Sequence, residues 1–169
     1  MTEPTLIDTK TAPAIRVLTF AVLASILGNA CDPSTDRPDF GPLSGAIVDT
    51  MLTPPGTVID ALAQTIDSVG MTVRHESTRD GYLETRSFDV RSGVNRGRDI
   101  YNPERVIVLR FWADLIPGQR TRVTGEASYR TTSDPSLDNR LAEKMAARDH
   151  EGYLLLVQIL RITKSRIRG

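Results

Sequence analysis

Between residues 53 and 70 the apolar side chains Val58, Ile59, Leu62, Ile66 and Val69 recur three or four positions apart, with Asp60, Gln64 and Asp67 between them. That spacing lays one apolar stripe along a helix. Thr53 followed by two prolines offers an N-cap and a first-turn proline, and Gly70 offers the stop. Beyond Gly70 the period falls to two. Residues 71–78 alternate, Arg79-Asp80-Gly81 supplies a hairpin turn, and residues 82–90 form the partner strand. Residues 105–115 place Ile107, Leu109, Phe111, Ala113 and Leu115 on one face, and Pro117-Gly118 marks a type II turn. Residues 121–131 then set Val123, Gly125, Ala127 and Tyr129 against Arg122, Thr124, Glu126, Ser128 and Arg130. A second helical region is expected from about Asp138, bent near Gly152, with the stretch YLLLVQIL at residues 153–160 apolar almost all round and therefore buried. The pattern predicts an α+β domain: a four-stranded antiparallel meander packed against an N-terminal helix and a long C-terminal helix.

The first third of the chain follows different rules. Residues 17–31 read VLTFAVLASILGNAC without a charge, preceded by Arg16 and Lys10. A charged start before a short apolar run is the layout of a secretory signal, and the run falls short of the roughly 20 residues of a spanning helix. Small residues at Gly28 and Ala30 suit a signal peptidase, so cleavage is expected between Ala30 and Cys31. The end of the run resembles a lipobox, although Gly28 stands where Leu is usual. Cys31 is the sole cysteine and can form no intramolecular disulfide, and an exposed thiol in an oxidising compartment is reactive. Lipidation of Cys31 removes that liability and is the leading expectation, with ordinary cleavage or an uncleaved anchor as alternatives. The stretch DPSTDRPDFGPLSG that follows is rich in Pro, Asp, Ser and Gly and reads as a linker that could extend about 45 Å. The expected organisation is a signal segment over 1–31, a Pro-rich tether over 32–49 and the α+β domain over 50–169.

Charge excludes some functions. With 21 basic and 21 acidic residues the formal net charge is zero, and removing Glu3, Asp8, Lys10 and Arg16 with the signal leaves 19 of each. No net field favours nucleic acid, so none is expected as a partner. Only His75 and His150 could add imidazole, far apart and outside any zinc spacing, so neither metal nor cofactor is expected.

The Cys-ended signal, the Pro-rich tether, the stretch TPPGTVIDALAQTIDSVGMTV and the following DGYLETRSFDV together resemble the helix-grip modules of BamC-like (NlpB-like) envelope lipoproteins. The likeness covers roughly residues 53–165 by order of elements. It implies an accessory role in outer-membrane protein assembly, exerted through protein contacts in the envelope.

Candidate chemistry is sparse. His75 is read on the same strand side as Met71 and Val73, and no nucleophile motif accompanies it, so a general-base role lacks its partners. His150, between Asp149 and Glu151, reads as a solvated residue. Arg91, Arg96, Arg98 and Arg105 flank or occupy a long loop that also holds Tyr101, where a partner or anionic surface could bind. Arg161, Lys164 and Arg168 share a helix face, where cations suit a C-terminus. Trp112 shares its face with Val106, Val108 and Arg110: an exposed binding patch if that face is bare, core if it is covered. The contact candidates are therefore Trp112, Arg96, Arg98 and Tyr101, with no catalytic residue. The expected function is that of an exported, lipid-anchored envelope protein acting as a non-catalytic interaction module, membrane-bound through Cys31 and facing the periplasm or exterior. The alternative is a carrier holding a small apolar ligand between the sheet and the C-terminal helix.

Overall fold

A computed structural model describes residues 35–96, 102, 104–132, 134, 136–138 and 140–168. The signal segment with Ala30 and Cys31, and the loop residues Arg98 and Tyr101, lie outside the described residues. Residues 36–169 form one compact unit.

The first helix, α1, spans Pro55–Ser68 and buries Val58, Ile59, Leu62 and Ile66, as the stripe requires. Its start differs from the expected Thr53 cap. Pro55 forces Pro54 into an extended backbone, so Pro54 becomes the N-cap without a side-chain bond. Thr53 instead offers its carbonyl to the hydroxyl of Thr121. At the other end Gly70 adopts φ +80°, which lets the Gly70 and Met71 amides return to the carbonyls of Asp67 and Ile66.

The strands are β1 Ile47–Met51, β2 Val73–Ser77, β3 Tyr82–Thr85, β4 Phe88–Asp89, β5 Val94–Asn95, β6 Val106–Ile116, β7 Arg120–Arg130 and β8 Glu143–Met145. They form an antiparallel sheet of order β1-β7-β6-β3-β2, with β4 and β5 continuing beside β6 and β8 beside β7. The sheet thus holds the expected meander with more strands than four. The 82–90 strand is broken into β3 and β4, and β1 and β8 both add to β7 because its edge is long enough for two short partners. Two expectations are corrected here. Residues 36–49 are not a free linker: from Asp36 the chain is part of the folded unit, and β1 pairs with β7 from Ile47↔Gly125 to Met51↔Thr121. Residues 143–145, expected as helix, extend the sheet, and the second helix, α2, runs from Glu151–Arg168.

Both helices pack on one face of the sheet, where Leu83, Ile107, Leu109, Phe111, Val123 and Ala127 meet α1 and the buried Leu156 and Ile159 of α2. Leu115, assigned to that face, is 67% exposed because β6 runs past the end of the helix layer. The helix α2 is one-sided, not buried all round: Leu154 and Val157 are 56% and 43% exposed. Thr163 and Thr65 bridge the helices through a buried hydroxyl–hydroxyl bond of 3.1 Å, and Lys164 ties α2 to β1 through Asp49 at 2.6 Å. Arg161 and Arg168 of the same helix are exposed.

The β2–β3 hairpin closes on Gly81, whose φ is +63°. A Cβ there would stand 2.2 Å from the carbonyl oxygen of Ala113, a backbone atom that cannot yield. Gly81→Ala is expected to cost on the order of 3 kcal/mol and to lower the melting temperature by roughly 10 °C, measured by thermal unfolding followed by circular dichroism. A melting temperature equal to wild type would show that the hairpin does not require this close approach.

Candidate functional site

The sheet face opposite the helices carries the polar half of the strand alternation. Register places Glu84, Arg110 and Glu126 directly across from one another on β3, β6 and β7. Cross-strand neighbours of opposite charge attract, and this row alternates in sign. The Nε of Arg110 donates to Glu84 at 2.7 Å, and Nη1 donates to Glu126 at 3.0 Å and to Ser128 at 3.2 Å. From β8, Glu143 receives both Nη groups of Arg110, at 2.7 and 2.8 Å, a bidentate pair. The Arg110 side chain is only 7% exposed, and that of Glu126 is fully buried.

A second arginine closes the network. Arg140, in the turn before β8, donates to both oxygens of Glu126 and to Glu143. On its outer side Arg74 meets Glu84 at 2.9 Å, and the Tyr82 hydroxyl donates to the same carboxylate at 3.0 Å. Burial alone would push the Glu84 carboxyl up, but the Arg110 hydrogen bond and charge, with help from Tyr82 and Arg74, hold it below the usual carboxylate range. The Arg110 guanidinium is held charged despite its burial by Glu143 and Glu84. The Tyr82 hydroxyl is pushed up by burial and by the Glu84 charge, so it serves as a donor.

This network fastens residues 36–43 to the sheet. Phe40 lies with the guanidinium carbons of Arg140 and Arg110 at 4.6 and 5.4 Å from its ring centre. Arg140 also donates to the Gly41 carbonyl, and the Leu43 amide donates to Glu126 at 2.8 Å. Further out, Arg37 pairs with Asp114 at 2.8 Å, and the Asp36 amide donates to Asp80.

Trp112 is therefore no exposed contact: it is 1% exposed, beside Tyr82 at a ring separation of 5.6 Å. Arg96 is committed to Asp89 at 3.2 Å, together with Arg105 at 2.9 Å and the amides of Arg91 and Ser92. Burial would raise the Asp89 carboxyl, yet these bonds hold it low.

Both histidines depart from expectation. An irregularity in β2 between Val73 and His75 reverses the alternation, so Val73 packs with the core while His75 stands opposite Glu84 and 5.8 Å from the Tyr82 ring. The Nε2 of His75 and the Nε1 of Trp112 are buried and find no hydrogen-bond partner among the described residues. His150 is not merely solvated: its ring stacks on Tyr129 at 5.3 Å, and its Nδ1 accepts the Gly152 amide, capping α2. That acceptor role assigns the ring proton to Nε2, which donates to the Glu104 carbonyl at 2.6 Å.

The interface between the sheet and α2 is filled. A Cβ on Gly125 would lie 3.0 Å from Leu156, and one on Gly152 would lie 2.8 Å from Ile107. This does not favour an apolar carrier site beneath residues 153–160. A concave region instead lies on the outer face, about 500 Å³ in volume and lined by residues that include Phe40, His75, Tyr82, Arg110 and Arg140. Sequence reasoning missed the ion network. One signal pointed to it: Arg110 interrupts the apolar run VIVLRFWADL, and a cation in a strand buried on both sides needs acidic neighbours.

No protein-family model matches the chain, and the search of curated proteins found no match.

Replacing Arg110 leaves three buried carboxylates without their shared partner. Arg110→Met is expected to cost about 3–5 kcal/mol at neutral pH by urea unfolding. The sign of the pH effect follows from Glu84, whose folded carboxyl lies below its unfolded value. The stability it contributes is present above about pH 4.3 and is lost as pH falls through the lower folded value. In Arg110→Met burial acts with that lowering influence weakened, so the acid-unfolding midpoint moves to higher pH. An unchanged midpoint in a circular-dichroism titration would contradict this assignment.

Proposed function

We propose that the chain is an exported, membrane-anchored envelope protein whose folded unit works as a non-catalytic interaction or assembly module. The observation that carries this reading is the clamping of residues 36–43 onto the sheet by the Arg110 and Arg140 network. This is the segment that leads back to Cys31, and Asp32 to Thr35 alone intervene in sequence. A lipid on Cys31 would then hold the folded unit by at most about 18 Å of chain, a short leash in place of a long tether. A buried ionic clamp is a means of transmitting attachment to the fold, because breaking it exposes charges that burial makes costly to leave unpaired.

The likeness to BamC-like helix-grip modules belongs to the same proposal. Two helices on one face of an antiparallel sheet, one near each end of the described chain, support it at the level of architecture. The site chemistry is consistent with binding: the perturbed groups of the network are bonded to one another and act as structural charges. Protein partners in the envelope remain the expected ligands.

The test compares wild type with Cys31→Ser expressed in a bacterial host. The wild-type protein is expected in the membrane fraction, with a mature N-terminus at Cys31 and the added mass of acyl chains. The variant is expected to lose that added mass and to leave the lipid-anchored fraction. A wild-type protein that is soluble and carries no lipid would overturn the anchoring reading. Phe40→Ala, in contrast, is expected to leave lipidation intact while raising amide exchange across residues 36–45 by about tenfold or more, as weaker clamping predicts. Exchange equal to wild type would show that Phe40 contributes nothing to the clamp.

A further inference from the structure

The concave region on the outer face has a volume of about 500 Å³, a size that suits a small ligand or a few side chains. Phe40, His75 and Tyr82 line it along with the ion network, and so do three carboxylates outside that network, Asp36, Asp39 and Asp138. Charge accounting decides which ligand it suits. Arg74, Arg110 and Arg140 are paired with Glu84, Glu126 and Glu143, three cations against three anions. All three nitrogens of the Arg110 guanidinium already donate to acceptors within the fold. An anionic ligand would have to displace a buried internal carboxylate to reach it.

The three aspartates are different. None of them enters a salt bridge among the described residues, and Asp138 uses one oxygen only to accept the Arg140 amide at 2.7 Å. The lining itself carries five carboxylates, those of Asp36, Asp39, Glu84, Asp138 and Glu143, against three guanidinium groups, a surplus of two negative charges. No group of three described acidic or imidazole side chains converges as metal ligands would. Charge spread over a cavity of this size suits an extended organic cation better than a metal ion. The Phe40 ring, which already lies against the guanidinium groups of Arg140 and Arg110, shows that an aromatic face on this lining attracts such cations. The imidazole of His75, whose Nε2 has no partner among the described residues, adds a polar group to the same lining.

We propose that this cavity binds an organic cation carrying primary ammonium or guanidinium groups. The cation is either a free polyamine or a basic side chain of a peptide. The proposal rests on the fold alone and does not require that Cys31 be lipidated.

The experiment titrates the full chain by calorimetry with spermidine and, separately, with a tri-arginine amide. The same titrations are run on the double variant Asp39→Asn/Asp138→Asn. At least one probe is expected to bind saturably at a single site, and the double variant is expected to bind it about tenfold more weakly. Tighter binding of spermidine points to a free amine, and tighter binding of the peptide points to a partner's basic side chain. Both substituted residues are exposed and outside the ion pairs, so the variant is expected to melt as wild type does. If the double variant melts lower, Asp39→Asn alone makes the comparison. Any of three results would overturn the proposal: no saturable binding of either probe up to about 10 mM, equal affinity in the variant, or preferential binding of citrate.

Discussion

A buried arginine at the centre of a sheet is the constraint around which this fold is arranged. Arg110 sits in β6, a strand of mostly apolar residues, and removing its charge from water would cost several kcal/mol if nothing answered it. Three carboxylates answer it from three different strands, Glu84 on β3, Glu126 on β7 and Glu143 on β8. Each is buried in turn, so each requires Arg110 or Arg140 as much as they require it. Such a network adds little net stability over an apolar core, but it penalises strand registers that separate its members. A slip of β7 by one residue would turn Glu126 into the helix-packed core and leave two arginines short of a partner.

This arrangement also explains why the sheet is buried on both faces. The helix-facing side is covered by α1 and α2 through ordinary apolar packing. The other side is polar by sequence and would be expected to face water. It is covered because Phe40, the Gly41 carbonyl and the Leu43 amide satisfy the remaining bonding directions of Arg140 and Glu126. Trp112, on the same face, is buried beside Tyr82. A stretch with the composition of a linker thereby becomes structural, because its backbone supplies hydrogen bonds that its side chains do not advertise.

The site inherits its character from that pairing. Charges that hold one another in place have little freedom to transfer protons, and the lowered Glu84 carboxyl is stabilised as an anion in a permanent ion pair. What the network leaves uncommitted lies at its margin, in the carboxylates of Asp36, Asp39 and Asp138 around the concave region. Attachment and recognition would then share one element, since residues 36–43 both clamp to the sheet and contribute Asp36, Asp39 and Phe40 to the lining.

Local periodicity was sufficient for α1, for the core face of β6 as far as Ala113, for that of β7 and for the α+β class, because amphipathic burial writes itself into spacing at 3.6 or 2. It failed where the physical cause is non-local. The β2 irregularity put His75 on the opposite face from Val73, and pairing with Ser128, Tyr129 and Arg130 made a strand of residues 143–145. The linker-like residues 36–45 gained their structure from Glu126 and Arg140, which lie more than eighty positions away. The sequence by itself determined α1, the four-stranded meander at the centre of the sheet and the sign of every charge. Only the tertiary structure decided which charges are spent on one another, because that depends on strand order and register across the sheet.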